Sequence, residues 1–300
     1  MDIYQAIWAA DMRGNGIRPI LPSDKGDMSE GYVVVDTEIC NAEHRILKEV
    51  YIPERKRTSY QLIEKLFDNY KLNQTREELN TVNESKEVEK FLCMAIESHP
   101  GKLAKEFTED KTNKTFNDQQ WYSYLHDLWF RQFYWESGVD LSGFEHVFVG
   151  EQKKRKLVGH HFWYKYWLED NADVNNLHRD QIEMTCANHH EQNPATPYAV
   201  TVGYHLDAFD YEKQRFVKII KKKCAFLVGI SAEGLLALGT VRALPQEHLP
   251  ENFVLNGVPF QLELFSSPDG KSIRTFYPNY IPPSSISLTE GQTQERSPHS

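Results

Sequence analysis

The chain has 300 residues, 40% of them hydrophobic and 12% aromatic, with a formal net charge of −9 at pH 7. Such a length and apolar content can bury a sizeable core in one large or two modest domains, which excludes a disordered or fibrous chain. The acidic balance disfavours a protein that coats nucleic acid, but bulk charge does not decide whether a local site can grip phosphate.

The opening segment MDIYQAIWAADMRGNG lacks the basic start and continuous apolar stretch of a secretory signal. No apolar run approaches the roughly 20 residues needed to cross a bilayer. A cytoplasmic protein without membrane contact is therefore expected, with non-classical export as the other route. Residues 1–56 read as irregular around one short strand, Tyr32 to Val35. Thr58-Ser59-Tyr60-Gln61 has the pattern of a capping box, and Leu62, Ile63, Leu66, Phe67 and Tyr70 follow at helical spacing. Val88, Phe91, Leu92, Ala95 and Ile96 mark a second amphipathic helix. A third is predicted from about Asp118 to Trp135, its stripe Trp121, Leu125, Leu128 and Trp129 reading as core rather than as a base-stacking surface.

After Gly138 the pattern changes. Phe144 to Val149 reads as a strand and Gly159 to Leu168 as a helix. Short β-branched and apolar runs then dominate: Val200 to Tyr204, Ala225 to Ile230, Val254 to Leu264 and Ile273 to Tyr277. Asn256-Gly257 and Asp269-Gly270 are hairpin turn signals. Helices in front and strands behind give an α+β class. Residues 284–300, rich in Ser, Thr and Gln, have little to bury and are expected to be a disordered tail.

Cys40, Cys93, Cys186 and Cys224 show no CxxC pair or regular spacing, so reduced thiols are expected. Basic residues concentrate in Lys153 to Lys156 and Lys218 to Lys223. Cys186-Ala187-Asn188-His189-His190, with His178 nearby, could suggest metal ligands, but the defined spacings of zinc sites are missing and a loop is the better reading.

Of twelve histidines, two have distinctive settings. His146 falls mid-strand on the face of Phe144 and Phe148; His161 falls in the first turn of the helix after Gly159. A strand, a basic turn and a helix start would bring the two together. Imidazole suits proton transfer near neutral pH, yet each histidine taken singly can equally be a satisfied structural one.

The segment from Ser142 to Glu151, SGFEHVFVGE, resembles the most distinctive signature of the EndoU (XendoU-like) endoribonuclease family. Gly159-His160-His161-Phe162-Trp163 matches its Gly-x-His-x-Trp motif, with His161 at the matching position. Ala225 to Glu233 matches a Phe-x-x-Gly-x-Ser-x-Glu stretch that places the family's lysine at Lys221, with Lys218 and Lys222 as neighbours to which a small shift would move it. Thr275-Phe276-Tyr277-Pro278 matches the Thr-x-Tyr-Pro near the family's C-terminus. The similarity spans roughly residues 115–283. Ala232-Glu233-Gly234 departs from the usual Pro-Glu-Phe-Glu, and the segment from Asn171 to Asp210 is longer than usual.

The resemblance implies a mostly helical region over 1–110, a catalytic region of two packed antiparallel β-sheets with flanking helices over 111–283, and the tail over 284–300. It implies cleavage of single-stranded RNA at uridine through attack by the 2′-hydroxyl, leaving a 2′,3′-cyclic phosphate and a 5′-hydroxyl. His161 would be the base, by virtue of a helix N-terminus. His146 would be the acid, favoured by Glu145 or Glu151, and Lys221 would neutralise charge on the phosphate. Glu145, Glu151, Thr275 and Tyr277 would contact substrate, the last two reading the base. Manganese or calcium enters as an activator that the mechanism does not require, with Glu145 and Glu151 as its recruiters. A noncatalytic RNA-binding protein on the same scaffold is the rival reading.

Overall fold

The chain opens with a helix that the sequence reading placed in irregular structure. In the computed structural model, which describes residues 2–38, 40–41, 44–171, 181–186, 193, 195–250 and 253–281, α1 (Ile3–Arg13) is capped by Asp2, whose carboxylate accepts the Tyr4 N–H. Tyr4, Ile7 and Trp8 recur at helical spacing and are buried. The expected strand β2 (Tyr32–Val35) lies between β1 (Arg18–Ile20) and β3 (Leu47–Tyr51).

Helix α2 (Arg57–Glu64) is shorter than expected, and the capping box predicted at its start does not form. The helix starts at Arg57 with Lys56 as its N-cap, so Thr58 already lies inside the first turn; Ser59 donates from Oγ to Glu233 Oε2 at 2.8 Å. Helix α3 (Val82–Glu97) starts earlier than expected because Thr81 and Glu84 make a reciprocal cap. Helix α4 (His99–Thr112) follows directly and had no reading in the sequence. Helix α5 (Asp118–Trp129) buries Trp121, Leu125, Leu128 and Trp129 as core. It ends short of Trp135, because β4 (Phe133–Trp135) pairs with β5 (Gly138–Leu141).

A wide turn at Glu145–Val149 leads to β6 (Glu151–Lys153), β7 (Lys156–Val158), α6 (Trp163–Asp170), β8 (Gln181–Met184), β9 (Ala199–Asp210) and β10 (Arg215–Leu227). Helix α7 (Ala232–Arg242) and strands β11 (Phe253–Leu255), β12 (Val258–Ser266) and β13 (Ile273–Tyr280) complete the described chain. Residues 232–241 of α7 are all buried, so the helix has no polar face to announce it. The hairpin signal at 256–257 is realised: Asn256 at φ 49° and Gly257 at φ 83° adopt the left-handed turn that joins β11 to β12.

The α+β class holds. One sheet runs β6-β7-β10-β9-β8, antiparallel except where β7 and β10 run parallel; the other is the antiparallel β11-β12-β13. They approach each other where β10 nears β13, and α1, α3 and α4 pack on α7 behind them. No helix among the described residues is long and apolar enough to cross a membrane.

The cysteine expectation is corrected: Cys40 and Cys186 form a disulfide across 146 residues, while Cys93 and Cys224 are free. Sequence spacing carries no signal for a pairing made only by the fold. Cys186 therefore leaves the suggested ligand cluster, whose other members at 178 and 187–190 lie outside the described residues, as does the tail at 284–300.

Candidate active site

His146 is not on a strand. The Ser142 hydroxyl accepts the Glu145 N–H at 3.2 Å, and the Gly150 N–H donates back to the Glu145 carbonyl at 2.8 Å. That closure spans five residues, one more than an α-turn, and such wide turns recur at functional sites. Phe144, Val147 and Phe148 fall at i, i+3 and i+4, a helical spacing, and all three are buried. Gly150 then leaves the turn at φ 86°.

His161 likewise lies outside the helix expected to hold it. Gly159 and His160 take left-handed backbone, at φ 68° and 66°, and α6 begins only at Trp163. Their geometry aims the backbone at the 145–149 turn: His160 N–H donates to the His146 carbonyl and His161 N–H to the Val147 carbonyl, both at 2.7 Å. A Cβ at Gly159 would sit 1.9 Å from the His146 carbonyl oxygen, so only glycine fits there. The two histidine segments are thus stitched together by main chain, and their rings stand 6.2 Å apart between centroids.

Each imidazole is oriented through Nδ1. In His146 it meets Glu151 Oε2 at 2.8 Å; in His161 it donates to the Ala225 carbonyl at 2.9 Å. His161 is buried, and burial, then the neighbouring Lys221 ammonium, pulls its pKa well below the usual imidazole value. The cause of its neutrality is therefore enclosure beside a lysine, not a helix N-terminus.

Lys221 is brought in by an irregularity in β10, whose register against β9 shifts between Lys221 and Cys224. The side chain is buried, its Nζ donates to the Gly159 carbonyl, and desolvation lowers its pKa. The neighbours differ: Lys218 is exposed and paired with Glu183 at 3.0 Å, and Lys222 is exposed. Among the three lysines weighed in the sequence, Lys221 is the one joined to the histidine segment.

The Tyr277 ring stacks on His161 with centroids 4.7 Å apart and planes 19° from parallel. Thr275, two residues away on β13, has a buried hydroxyl that meets no hydrogen-bond partner among the described residues. Glu151 is buried and spent on His146. Glu145 is buried as well; desolvation, then Glu151 and Glu78, push its carboxyl well above the carboxylate range, and its Oε2 has no hydrogen-bond partner among the described residues. Both carboxylates thus lie in the protein rather than on an open surface. Among the described residues no set of three or more His, Cys, Asp or Glu side chains converges to hold an ion, so Glu145 and Glu151 do not fit a resident metal.

Sequence reasoning missed the partners of these groups. The Ala225 and Gly159 carbonyls are invisible to side-chain motifs. His160, the other member of the doublet, is fully buried, with Nδ1 2.5 Å from the Tyr204 hydroxyl and Nε2 2.6 Å from Glu169 Oε2. The Cys224 thiol donates to its carbonyl at 2.9 Å. The doublet was the available signal: one ring serves the core and the other the site.

The chain as a whole is similar to known endoribonucleases. The family model described as Endoribonuclease XendoU matches residues 3–278. Uridylate-specific endoribonuclease C of Danio rerio is 29% identical over 230 residues, covering 75% of this chain and 69% of that protein. The poly(U)-specific endoribonuclease of Xenopus tropicalis is 26% identical over 228 residues, covering 75% and 73%. The solved structure of XendoU, described as a splicing independent snoRNA processing endoribonuclease, superposes with a TM-score of 0.66 at 19% identity, covering 93% of this chain and 96% of that one. With the family model spanning nearly all of the described fold and the same architecture in XendoU, the chain belongs to the XendoU family of endoribonucleases.

Proposed function

We propose that this chain cleaves single-stranded RNA on the 3′ side of uridine by transesterification, leaving a 2′,3′-cyclic phosphate and a 5′-hydroxyl. The observation that carries the reading is the shared geometry of His146 and His161, each with Nδ1 engaged and so with Nε2 available for proton transfer. In His161 the carbonyl partner fixes a hydrogen on Nδ1, which leaves a bare lone pair on Nε2 of the neutral ring. That nitrogen takes the proton of the 2′-hydroxyl. His146, backed by the Glu151 carboxylate, gives a proton to the departing 5′-oxygen. Lys221 stabilises the charge that gathers on the phosphorane oxygens. No protein nucleophile is needed, because the substrate carries its own.

Uridine preference is supported by the names of the relatives and by Thr275 and Tyr277. A buried hydroxyl with no internal partner is free to bond a pyrimidine edge, and a tyrosine ring beside it can stack on the base. One face of that ring already rests on His161, so the base would use the other. Manganese or calcium carries no step in this scheme. The Cys40–Cys186 disulfide points to work in an oxidising compartment rather than in the cytoplasm expected from the sequence.

The test is direct. Purified protein is incubated with a short uridine-containing RNA in EDTA and, separately, in manganese, and fragment ends are analysed. Cyclic-phosphate fragments in either buffer, abolished by His161→Ala and by 2′-deoxy substitution at the cut site, support the reading. Intact binding without cleavage in both buffers would favour the noncatalytic alternative.

A further inference from the structure

We infer that the solvent-facing basic ridge made where β7 joins β10 binds phosphates of the RNA strand that flank the cleaved uridine. This inference rests on the proposed nuclease reading and deepens it.

The two basic clusters of the sequence, Lys153 to Lys156 and Lys218 to Lys223, are far apart in the chain and have no role in the chemistry beyond Lys221. The fold fuses them. Ile220 pairs in parallel with Lys156, and the Ile220 N–H donates to the Arg155 carbonyl at 3.0 Å. Strand alternation then divides the side chains: Ile219 and Lys221 turn inward and are buried, whereas Lys218 and Lys222 turn outward and are exposed. Lys154, Arg155 and Lys156 are also exposed.

Two of these cations are already neutralised, Lys153 by Glu136 and Lys218 by Glu183. Among the described residues no carboxylate lies within ion-pair distance of Lys154, Arg155, Lys156 or Lys222. Four uncompensated cations brought near one another by β7 and β10 run against the trend of a chain whose net charge is −9. The ridge also has a definite starting point. Strand β6 links it to the site: Glu151, which holds His146, opens this three-residue strand and the exposed Lys154 and Arg155 follow its far end, roughly 10 Å away. A polyanion held with one phosphodiester at the histidines would lay its neighbouring phosphates along it. Such contacts add affinity and salt dependence without sequence preference.

The experiment combines Lys154→Ser, Arg155→Ser and Lys222→Ser in the full chain. Two substrates are compared: a 20-nucleotide RNA with one uridine, and the dinucleotide uridylyl-adenosine, which is too short to reach the ridge. The expected result is a fall of roughly tenfold or more in kcat/KM for the long RNA, a salt slope shallower by about 2, and an unchanged rate on the dinucleotide. The Lys154→Arg and Lys222→Arg variant should retain the long-RNA rate, since the ridge needs charge. Binding of the same 20-nucleotide RNA carrying 2′-deoxyuridine is measured in parallel and should weaken in step. Parent protein that cleaves neither substrate but still binds this RNA through the ridge would sink the nuclease reading and uphold the ridge. Equal losses on both substrates, or unchanged long-RNA affinity and salt slope, would overturn it. So would ridge-dependent binding to phosphatidylserine vesicles with RNA affinity unaffected.

Discussion

His146 and His161 stand with their rings 6.2 Å apart and each engages an acceptor through Nδ1, one a buried carboxylate and the other a backbone carbonyl. Only His161 has the setting of a neutral ring: burial, then Lys221, lowers its pKa, as the proposed base requires. The proposed acid role of His146 rests on its place opposite that ring. A substrate with an activated leaving group needs no acid. His146→Ala should therefore retain most of its rate on such a substrate while losing about 10²–10⁴-fold on RNA, and His161→Ala should lose on both. The reverse pattern would exchange the assignments.

The lowered pKa of His161 sets a pH signature. The group is neutral in the folded chain well below the pH at which the unfolded histidine takes a proton. On the acid side, kcat/KM should hold through pH 6.5 and fall only below it. A profile that already declines between pH 7.5 and 6.5 on lowering the pH would contradict the base role. The same shift carries a stability consequence: as pH drops beneath 6.5 the unfolded state gains a proton that the folded site refuses, so the fold loses stability there.

The proposed base-reading role of Thr275 and Tyr277 predicts that substitutions there change base preference apart from catalysis. Thr275→Val removes the unpartnered buried hydroxyl with little change in volume, and the uridine-over-cytidine ratio in kcat/KM should fall by about tenfold, the worth of one hydrogen bond. Tyr277→Phe keeps the ring against His161, whereas Tyr277→Ala removes it. The phenylalanine variant should thus stay within about threefold in rate, and the alanine variant should lose more than tenfold. An unaltered preference in Thr275→Val would remove that residue from base reading.

Most of what the sequence disclosed lay where one periodic signal had one interpretation. Trp121, Leu125, Leu128 and Trp129 could only be a helix face, and Asn256-Gly257 could only be a hairpin turn. Phe144 to Val149 carried both a strand-like make-up and a helical spacing, and backbone closure onto Gly150 decided for the turn. Helix α7 was illegible for the opposite reason: buried all round, it has no polar face to mark a period. Motif spacing brought His146, His161 and Lys221 forward, but it could not show that the Gly159 and Ala225 carbonyls hold two of them. Those contacts belong to the main chain and depend on two left-handed residues and a shifted strand register.

The Cys40–Cys186 disulfide closes a loop of 146 residues, which in the chain-entropy account restricts the unfolded ensemble more than a short loop would. Cys40→Ser with Cys186→Ser should cost about 2–5 kcal/mol, read as a lower Tm in the absence of reductant. The catalytic rate at 25 °C should be unchanged, because neither cysteine is among the groups around His146 and His161. Adding reductant should lower the parent's Tm and leave that of the double variant in place. A parent whose Tm ignores reductant would show that the bond is not formed in solution.

Behind the site, Asp11 and Glu233 form a buried acidic pair that joins α1 to α7. Asp11 accepts from the Ser231 hydroxyl at 2.5 Å and the Ser231 N–H at 2.8 Å, while Glu233 accepts from Asn15 and Ser59. The buried Lys56 ammonium is close by but donates to the Gly16 carbonyl at 2.6 Å. Desolvation, then repulsion from Glu233, pushes the Asp11 pKa up from 3.8 to about 7. The folded state therefore keeps a proton that the unfolded chain releases, and the associated stability is present below 3.8 and is lost as pH rises through 7. Asp11→Asn cannot titrate and isolates this effect from that of His161. The stability difference, variant minus parent, should climb by on the order of 1–4 kcal/mol between about pH 4 and pH 7 and stay level above it. Denaturant unfolding at several pH values measures it, and a difference that is flat or declines across that range would mean the pair is not buried as charge. Because Ser231 follows the Ile230 carbonyl that accepts the Trp163 indole N–H at 2.6 Å, the same pair anchors the segment running back to Ala225. Loosening it should raise the apparent pKa of the His161 limb in the rate profile, a shift that a merely global loss of stability would not produce.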